Sequence, residues 1–316
     1  MLTFGPPGRL VDAGGYRLHL HALGDGEPSV VFVSGIAASC LNWAALQRAI
    51  APLTRAIASD RAGLGWSDPG PRGLTALEHA AHLRTALRGA GFAPPYLLVA
   101  HSYGSFVVQL LARRYARDVA GMVLLDPISW REWVRPGPSH QRMLRGGIAF
   151  ARIAAVLAGL GVVGFAVRRF RGGSEGLGRA LLGSFGAGAG QAVSRVLGEV
   201  GKMPPDTWDA IEHHWSRPRA FTAMARHFQT LPLSAARVRD DEAGGAQWTF
   251  PLIVLGAEKN DEAVRGEQRR IAHLSSRGRY AVVAGAGHWV HLDRPDVVER
   301  AILEVLREVR GDTGTA

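Results

Sequence analysis

The chain has 316 residues, 47% of them hydrophobic, which is enough for one large domain or for a core with a sizeable insertion. Its formal net charge is +10, and nearly all of its basic residues are arginines scattered along the sequence. A nucleic-acid face would gather such residues with aromatic ones, so the composition argues against a nucleic-acid partner. The expected consequence of the charge is a weak attraction to anionic membrane surfaces.

The single cysteine, Cys40, excludes an intramolecular disulfide framework and is typical of a reducing compartment. No group of cysteines and histidines has the spacing of a zinc site, so we expect neither a metal nor an organic cofactor. The first residues have no charged segment followed by an apolar one, which argues against a signal peptide. These features predict a cytoplasmic protein.

Short apolar strands alternate with helical patterns over residues 16–130 and again after residue 248. Strands are predicted at 16–21, 29–34, 55–59, from 96 to the turn at 100–104, 121–125, 251–256 and 279–284, the last two buried. Helices are predicted at 42–51, 75–89, from 105 onward, and at 295–310. This alternation predicts an α/β fold with a mostly parallel, doubly wound sheet covered on both faces.

The strand rhythm disappears between Ile128 and Trp248, where arginine-rich helical segments and a glycine-rich stretch at 172–190 occur. An insertion between two strands of such a sheet most simply forms a helical cap over their carboxyl ends, where ligands bind in open α/β sheets. We therefore predict a core formed by residues 1–130 and 248–316, with residues 131–247 as a cap or lid.

Residues 148–167, inside this cap, are apolar enough to raise the question of a membrane span. Arg152 interrupts the segment, both of its ends are basic, and alanine and glycine supply much of its hydrophobicity. Spanning would also separate the two halves of the sheet. We predict instead a cap helix that is buried or lines the substrate site, with peripheral contact to a membrane as the alternative.

The strand that begins at Tyr96 ends in the turn Ala100-His101-Ser102-Tyr103-Gly104, and a helical pattern follows at once. This is the pattern of a nucleophile elbow with Ser102 at its tip. The tight reversal holds the serine hydroxyl clear of the backbone and directs the first free N–H groups of the helix toward it. Small residues must flank the tip. Gly104 meets that requirement, and Ala100 is the smallest substitute for the usual glycine.

A serine hydroxyl needs a neighbouring base that takes its proton. His288 lies in a glycine-rich loop after the last apolar strand, near the same sheet edge as Ser102, and is the candidate base. His291, three residues later, is expected to make a structural hydrogen bond. The backbone N–H groups of Tyr103 and Ile36 are the candidate oxyanion-hole donors, since each lies in the turn that follows a strand.

The order of these motifs resembles the α/β-hydrolase fold superfamily over residues 16–130 and 248–310, that is, everything except the cap. The sequence differs from the usual pattern of the superfamily in two places, and these differences leave the substrate class open. Ser34 stands where a histidine commonly precedes the glycine, and Ala100 and Ser105 replace glycines around the elbow. The motifs that carry the resemblance are Gly35 with its turn, Asp60-Arg61-x-Gly63-x-Gly65-x-Ser67, the elbow, Leu125-Asp126-Pro127 and Gly287-His288.

The acid that would orient His288 has three candidates. Asp126 ends the strand after the elbow helix, in a setting that resembles the lipase-like branch of the superfamily. Asp261 follows the next strand, where most of the superfamily places its acid, and Glu258 is a third option. We favour Asp126 over Asp261. The pair Asp60–Arg61 is predicted to be a buried ion pair that braces its loop.

The resemblance implies a two-step hydrolysis of a carboxylic ester, a small acyl substrate with an apolar portion under the cap. Haloalkane dehalogenases and soluble epoxide hydrolases of this fold have aspartate as nucleophile, and dienelactone hydrolases have cysteine. Alternatives are a membrane-associated lipase-like or lactone hydrolase, an amidase or aminopeptidase, a C–C bond hydrolase and a cofactor-free haloperoxidase. A non-catalytic binding protein of this fold would not need Ser102 and His288 intact.

Overall fold

The computed structural model describes residues 5–171 and 202–311 and contains one eight-stranded sheet. Its strand order is β1-β2-β4-β3-β5-β6-β7-β8; β1 and β2 pair antiparallel to their neighbours and all other pairs are parallel. The predicted α/β fold with a mostly parallel sheet is confirmed. The strands are β1 (Arg9–Asp12), β2 (Arg17–Leu23), β3 (Ser29–Val33), β4 (Ala56–Ser59), β5 (Tyr96–His101), β6 (Val119–Leu125), β7 (Leu252–Ala257) and β8 (Gly278–Val283).

Helices cover both faces of the sheet, which is why the central strands are nearly continuous apolar runs. Alternate residues of one strand enter different hydrophobic clusters: Val31 and Leu98 belong to one, Val30 and Leu97 to the other. The described helices are α1 (Ala44–Ile50), α2 (Ala76–Gly89), α3 (Gly104–Arg114), α4 (Trp130–Trp133), α5 (Pro138–Gly159), α6 (Val162–Arg171), α7 (Trp208–Trp215), α8 (Pro218–Ala243), α9 (Glu262–Ala272), α10 (Val290–Asp293) and α11 (Pro295–Arg310).

Two edge strands differ from the expectation. β8 was predicted to be buried, but most of its residues are partly or fully exposed, and Val282 is 41% exposed. The reason is its position, because β8 pairs with β7 alone within the described sheet. At the opposite edge, β1 was not predicted. It has only four residues, Arg-Leu-Val-Asp, so it carries too little apolar pattern to be recognised without its partner β2.

Helices α4 to α8 lie between β6 and β7, where the helical insertion was expected. The glycine-rich stretch at 172–190 falls outside the described residues. The two longest helices of this region, α5 and α8, pack on each other through small side chains on the α5 side. Their shared cluster consists of Ala151, Ala154 and Ala158 from α5 and Phe221, Met224 and Ala225 from α8.

The segment 148–167 does not form the single helix that was expected. α5 ends at Gly159, Gly161 has a φ of 78°, and α6 begins at Val162 at an angle of 87° to α5. Glycine adopts this left-handed backbone without strain, which allows the chain to turn sharply. No single helix in the described ranges is long and apolar enough to cross a membrane, and the bent α5–α6 pair meets the criterion only by length and composition.

Candidate active site

Ser102 lies at the sharp turn between β5 and α3, and its φ of 51° is unusual for a residue other than glycine. Its N–H donates to the Leu125 carbonyl (3.0 Å), which ties the turn to β6. A Cβ on Gly104 would lie 2.4 Å from the Val33 carbonyl oxygen, so only glycine fits where α3 passes β3. The described turn therefore has the geometry of a nucleophile elbow.

His288 lies in the loop between β8 and α10, and its Nδ1 is 2.6 Å from Oδ2 of Asp126. The other carboxylate oxygen of Asp126 accepts hydrogen bonds from the Ala257 N–H (3.1 Å), Asn260 Nδ2 (2.6 Å) and Gln268 Nε2 (2.7 Å). Asp126 also has a positive φ, 42°. These contacts hold both carboxylate oxygens in fixed positions at the carboxyl end of β6.

Two opposing effects act on the pKa of the Asp126 carboxyl. Burial raises the pKa, but the hydrogen bond and charge of His288, with the hydrogen bonds from Asn260 and Gln268, lower it. The balance leaves the pKa below its ordinary value. The structure therefore favours an ionised carboxylate facing the Nδ1 side of His288, which suits a histidine that has to become positively charged.

The other two candidate acids lie elsewhere. Asp261 is the N-cap of α9, and its Oδ1 accepts a hydrogen bond from the Val264 N–H (2.9 Å). Glu258 Oε2 accepts a hydrogen bond from the Gly285 N–H (3.0 Å). Within the described residues neither carboxylate contacts His288, whereas Asp126 does. The sequence left this choice open because all three residues follow strands at the same sheet edge.

Ile36 and Tyr103 both border the cavity into which Ser102 opens. In the described part of the chain, neither backbone N–H donates a hydrogen bond to a protein acceptor. The Tyr103 side chain is buried and its hydroxyl is 3.1 Å from the Ser234 hydroxyl on α8. Both N–H groups are therefore without a protein acceptor among the described residues, at the cavity that Ser102 also borders.

This cavity has a volume of about 250 Å³ and joins the carboxyl ends of the strands to the helices of the insertion. Its wall is mainly apolar, and Glu132 is the acidic residue among the described residues that line it. Sequence reasoning had not singled out Glu132 or any other wall residue from the insertion, because these residues come from helices that only the fold brings together. The apolar wall residues from α4, α5 and α8 are Trp133, Met143, Phe150, Met224, Phe228 and Leu231.

The predicted ion pair between Asp60 and Arg61 is wrong. Asp60 accepts hydrogen bonds from His19 Nδ1 (2.8 Å) and the Cys40 N–H (2.7 Å), whereas Arg61 donates to the carbonyl oxygens of Ser34 and Gly35. The two neighbours in the chain therefore have separate partners. Arg61 thus holds the turn that contains Ile36, a link that sequence reasoning missed.

His19, Cys40 and Asp60 lie close enough together for their ligand atoms to share one ion. The donor set argues for a hydrogen-bonded network instead. Burial raises the pKa of the Cys40 thiol well above its ordinary value, so its Sγ keeps its proton and donates to Asp60 (3.4 Å). Asp60 also accepts the Trp66 N–H, and the cluster braces β2 against the glycine-rich loop.

Two further histidines support the loop that carries His288. His101 is buried and its Nε2 donates to the His288 carbonyl oxygen (2.9 Å), a contact that sequence reasoning missed. The hydrogen bond expected for His291 is absent: its two ring nitrogens have no partner among the described residues. Its ring stacks on Trp43 at 4.4 Å instead. Burial lowers the pKa of His291 to about 3, so the ring is neutral.

The sheet, the elbow and the insertion together define a protein with the α/β-hydrolase fold. A family model described as the alpha/beta hydrolase family matches residues 30–301, and the chain belongs to this family.

Among curated proteins, it is similar to the uncharacterized protein YqjL of Bacillus subtilis, with 36% identity over 107 residues. That match covers 34% of this chain and 42% of YqjL, so this chain aligns with less than half of that relative.

Solved structures share the fold over nearly the whole chain. A thermophilic esterase from Thermogutta terrifontis has a TM-score of 0.64 and 20% identity, covering 95% of this chain and 98% of that one. The epoxide hydrolase CorEH has a TM-score of 0.69 and 19% identity, covering 95% and 98%. At such identities the likeness establishes the fold alone, and the neighbours differ in the reaction that their names give.

Proposed function

We propose that this protein is a serine hydrolase of carboxylic esters in which Ser102 is the nucleophile, His288 the general base and Asp126 the acid. The observation that carries the proposal is the 2.6 Å contact between His288 Nδ1 and Asp126 Oδ2, beside a strained serine that borders the same cavity. A serine alone is a weak nucleophile, and this arrangement supplies the base and the group that orients it.

In the first step, Ser102 Oγ attacks the ester carbonyl carbon while Nε2 of His288 takes the hydroxyl proton. The carbonyl oxygen becomes an oxyanion, which accepts hydrogen bonds from the N–H groups of Ile36 and Tyr103. Asp126 stabilises the imidazolium that forms. The tetrahedral intermediate then collapses, the proton passes from His288 to the leaving alkoxide, and the acyl group remains on Ser102.

In the second step, water enters the place of the departed alcohol. His288 takes a proton from this water, the hydroxide attacks the acyl carbon, and the same two N–H groups stabilise the new oxyanion. Collapse of this intermediate releases the carboxylic acid and returns the proton to Ser102. The cycle consumes one water and needs no other co-reactant.

The cavity favours an uncharged, apolar acyl or alcohol portion. Its wall consists mainly of aromatic and aliphatic side chains from the insertion, which gain from contact with similar groups. Burial, together with the neighbouring charges of Glu267, Asp126 and Asp261, raises the pKa of Glu132. The same negative charges would oppose a substrate that carries its own carboxylate near Glu132.

Serine at position 102 disfavours the reactions of epoxide hydrolases and haloalkane dehalogenases, which in this fold rely on an aspartate nucleophile. An aspartate at the elbow is attacked by water at its own carbonyl carbon in the second step, and serine offers no such carbon. An ester carbonyl, in contrast, suits a serine with two N–H donors beside it.

A fluorophosphonate probe tests the nucleophile directly, because it phosphonylates an activated serine. We expect the wild-type protein to be labelled and Ser102→Ala to lose both labelling and about 10⁴-fold or more of its ester hydrolysis. Ser105→Ala is the matched control, since Ser105 is buried on α3 three residues away and should leave labelling intact. Labelling that persists in Ser102→Ala would refute the proposal.

A further inference from the structure

Large apolar side chains are exposed where α5 meets α6. Five of the nine large hydrophobic residues exposed in the described part of the chain lie within this short segment, each between 44% and 72% exposed. We name this surface the α5–α6 corner. Its residues are Ile153, Val156 and Leu160 from α5 and the following turn, and Val162 and Phe165 from α6.

The exposed side chains of α5 are not on the face by which this helix packs in the protein, because a different face of α5 packs on α8. Ala151, Ala154 and Ala158 are buried against α8 and lie within one sector of the helix. At about 100° per residue, Ile153, Val156 and Leu160 lie on the opposite side. Over residues 151–160 the helix therefore buries alanines and exposes larger apolar side chains, which reverses the arrangement of an ordinary amphipathic helix.

The same exposed face carries positive charge. Arg142, Arg145 and Arg152 fall within about 100° of arc together with Ile153, Val156 and Leu160, the part of the corner that α5 and its last turn contribute. All three are exposed, and none has a carboxylate partner among the described residues. The sequence from 138 to 171 contains no aspartate or glutamate, so nothing along this stretch offsets the arginines.

We propose that the α5–α6 corner docks on an anionic lipid surface. The apolar residues would enter the boundary between headgroups and acyl chains while the arginines remain at the level of the acidic headgroups, the division of roles in an interfacial amphipathic helix. The net charge of +10 adds a longer-range attraction to such a surface. Docking uses only one face of α5, so the helix keeps its packing on α8.

Docking would also have a consequence for access to the cavity. Met143 and Phe150 of α5 border the cavity on a side of the helix between its buried face and the exposed one, and Gly147 borders it from the buried face. A lipid surface at the α5–α6 corner would therefore lie close to this helix wall. The proposal itself does not depend on the ester chemistry, because it rests on the exposed side chains and charges alone.

Vesicle sedimentation of the full chain tests the binding. We expect binding to phosphatidylcholine vesicles that contain phosphatidylglycerol, at least about tenfold weaker binding to pure phosphatidylcholine, and release by salt. The combined variant Val156→Ser, Leu160→Ser and Phe165→Ser should lose about tenfold in binding or more. The matched control is Leu53→Ser with Leu233→Ser, which removes exposed leucines elsewhere and should bind like the wild type.

A cysteine introduced at the α5–α6 corner shows whether lipid, another part of the chain or a second copy covers this surface. Cys40 is buried, so Leu160→Cys adds one reactive site, and its maleimide reaction should be fast alone and slowed by the anionic vesicles. A slow reaction without vesicles would mean that the corner is covered by another part of the chain. Slowing with protein concentration alone would mean a second copy. Either result, or equal vesicle binding by the corner variant, would overturn the proposal.

Discussion

The sheet and the helical insertion place their residues by different means. In the sheet, Ser102 and Asp126 lie at the ends of buried strands, in backbone conformations with positive φ, and hydrogen bonds hold them there. In the insertion, the cavity wall consists of side chains on helices that pack through alanines. In the proposed hydrolase the chemistry would therefore depend on backbone geometry, whereas the fit to substrate would depend on side chains that can change without moving the site.

The largest expected effect belongs to the sheet and concerns the acid. Asp126→Asn should lower kcat/KM for an ester by about 10⁴-fold. The amide oxygen would keep the three hydrogen bonds from Ala257, Asn260 and Gln268, so the NH2 group would face His288 Nδ1, favour the wrong tautomer and supply no negative charge. Asp261→Asn should change kcat/KM by less than about threefold, since its carboxylate caps α9. Steady-state kinetics of the two variants decides between them, and a large loss only in Asp261→Asn would contradict the assignment.

A smaller effect is expected from the insertion. Phe228→Ala removes part of the apolar cavity wall and should raise KM for esters with long acyl chains about tenfold, with acetate esters little changed. Leu233→Ala is the matched control, because Leu233 lies on the same helix but is exposed away from the cavity. If the loss is the same for all chain lengths, the wall does not select the acyl group.

The last expected effect concerns stability instead of activity, and it compares the two regions through their buried histidines. Burial lowers the pKa of His214 in the insertion and of His291 in the core to about 3. The unfolded chain, with histidine pKa values near 6.5, binds more protons between these limits, so the free energy of unfolding falls as pH decreases from about 6.5. Each histidine contributes at most about 1.4 kcal/mol per pH unit.

Urea unfolding between pH 8 and about pH 4 measures this slope. His214→Phe and His291→Phe should each flatten it, by similar amounts, because each removes one proton that is taken up on unfolding. A slope unchanged in both variants would mean that these rings are not the groups that titrate. A slope changed in one variant alone would mean that only that histidine takes up a proton on unfolding.

Local patterns were sufficient to predict the elements that carry the candidate site. The apolar runs gave most of the strands, and the turn around Ser102 and the loop around His288 were recognisable because each is defined by neighbouring residues. Failures occurred where a property depends on position in the assembled sheet. β8 looks like a buried strand until it is known to lie at an edge, and β1 is too short to recognise without β2.

The insertion was predictable only in outline. Its helical character follows from the missing strand rhythm. The reversed faces of α5 do not, because they depend on what α8 presents to α5. Two contacts in the core were also missed: the hydrogen bond from Arg61 to the Gly35 turn and the hydrogen bond from His101 to the His288 carbonyl oxygen. Each joins residues that are far apart in the sequence.

The sequence by itself determined the order of strands and turns, and with it the fold and the presence of a serine at the tip of a strained turn. Only the tertiary structure decided which carboxylate meets His288, because Asp126 and His288 are 162 positions apart and three acids end at the same sheet edge. A local pattern specifies which backbone shape a segment takes. The distance between two side chains is specified only when all of the strands between them have been assembled.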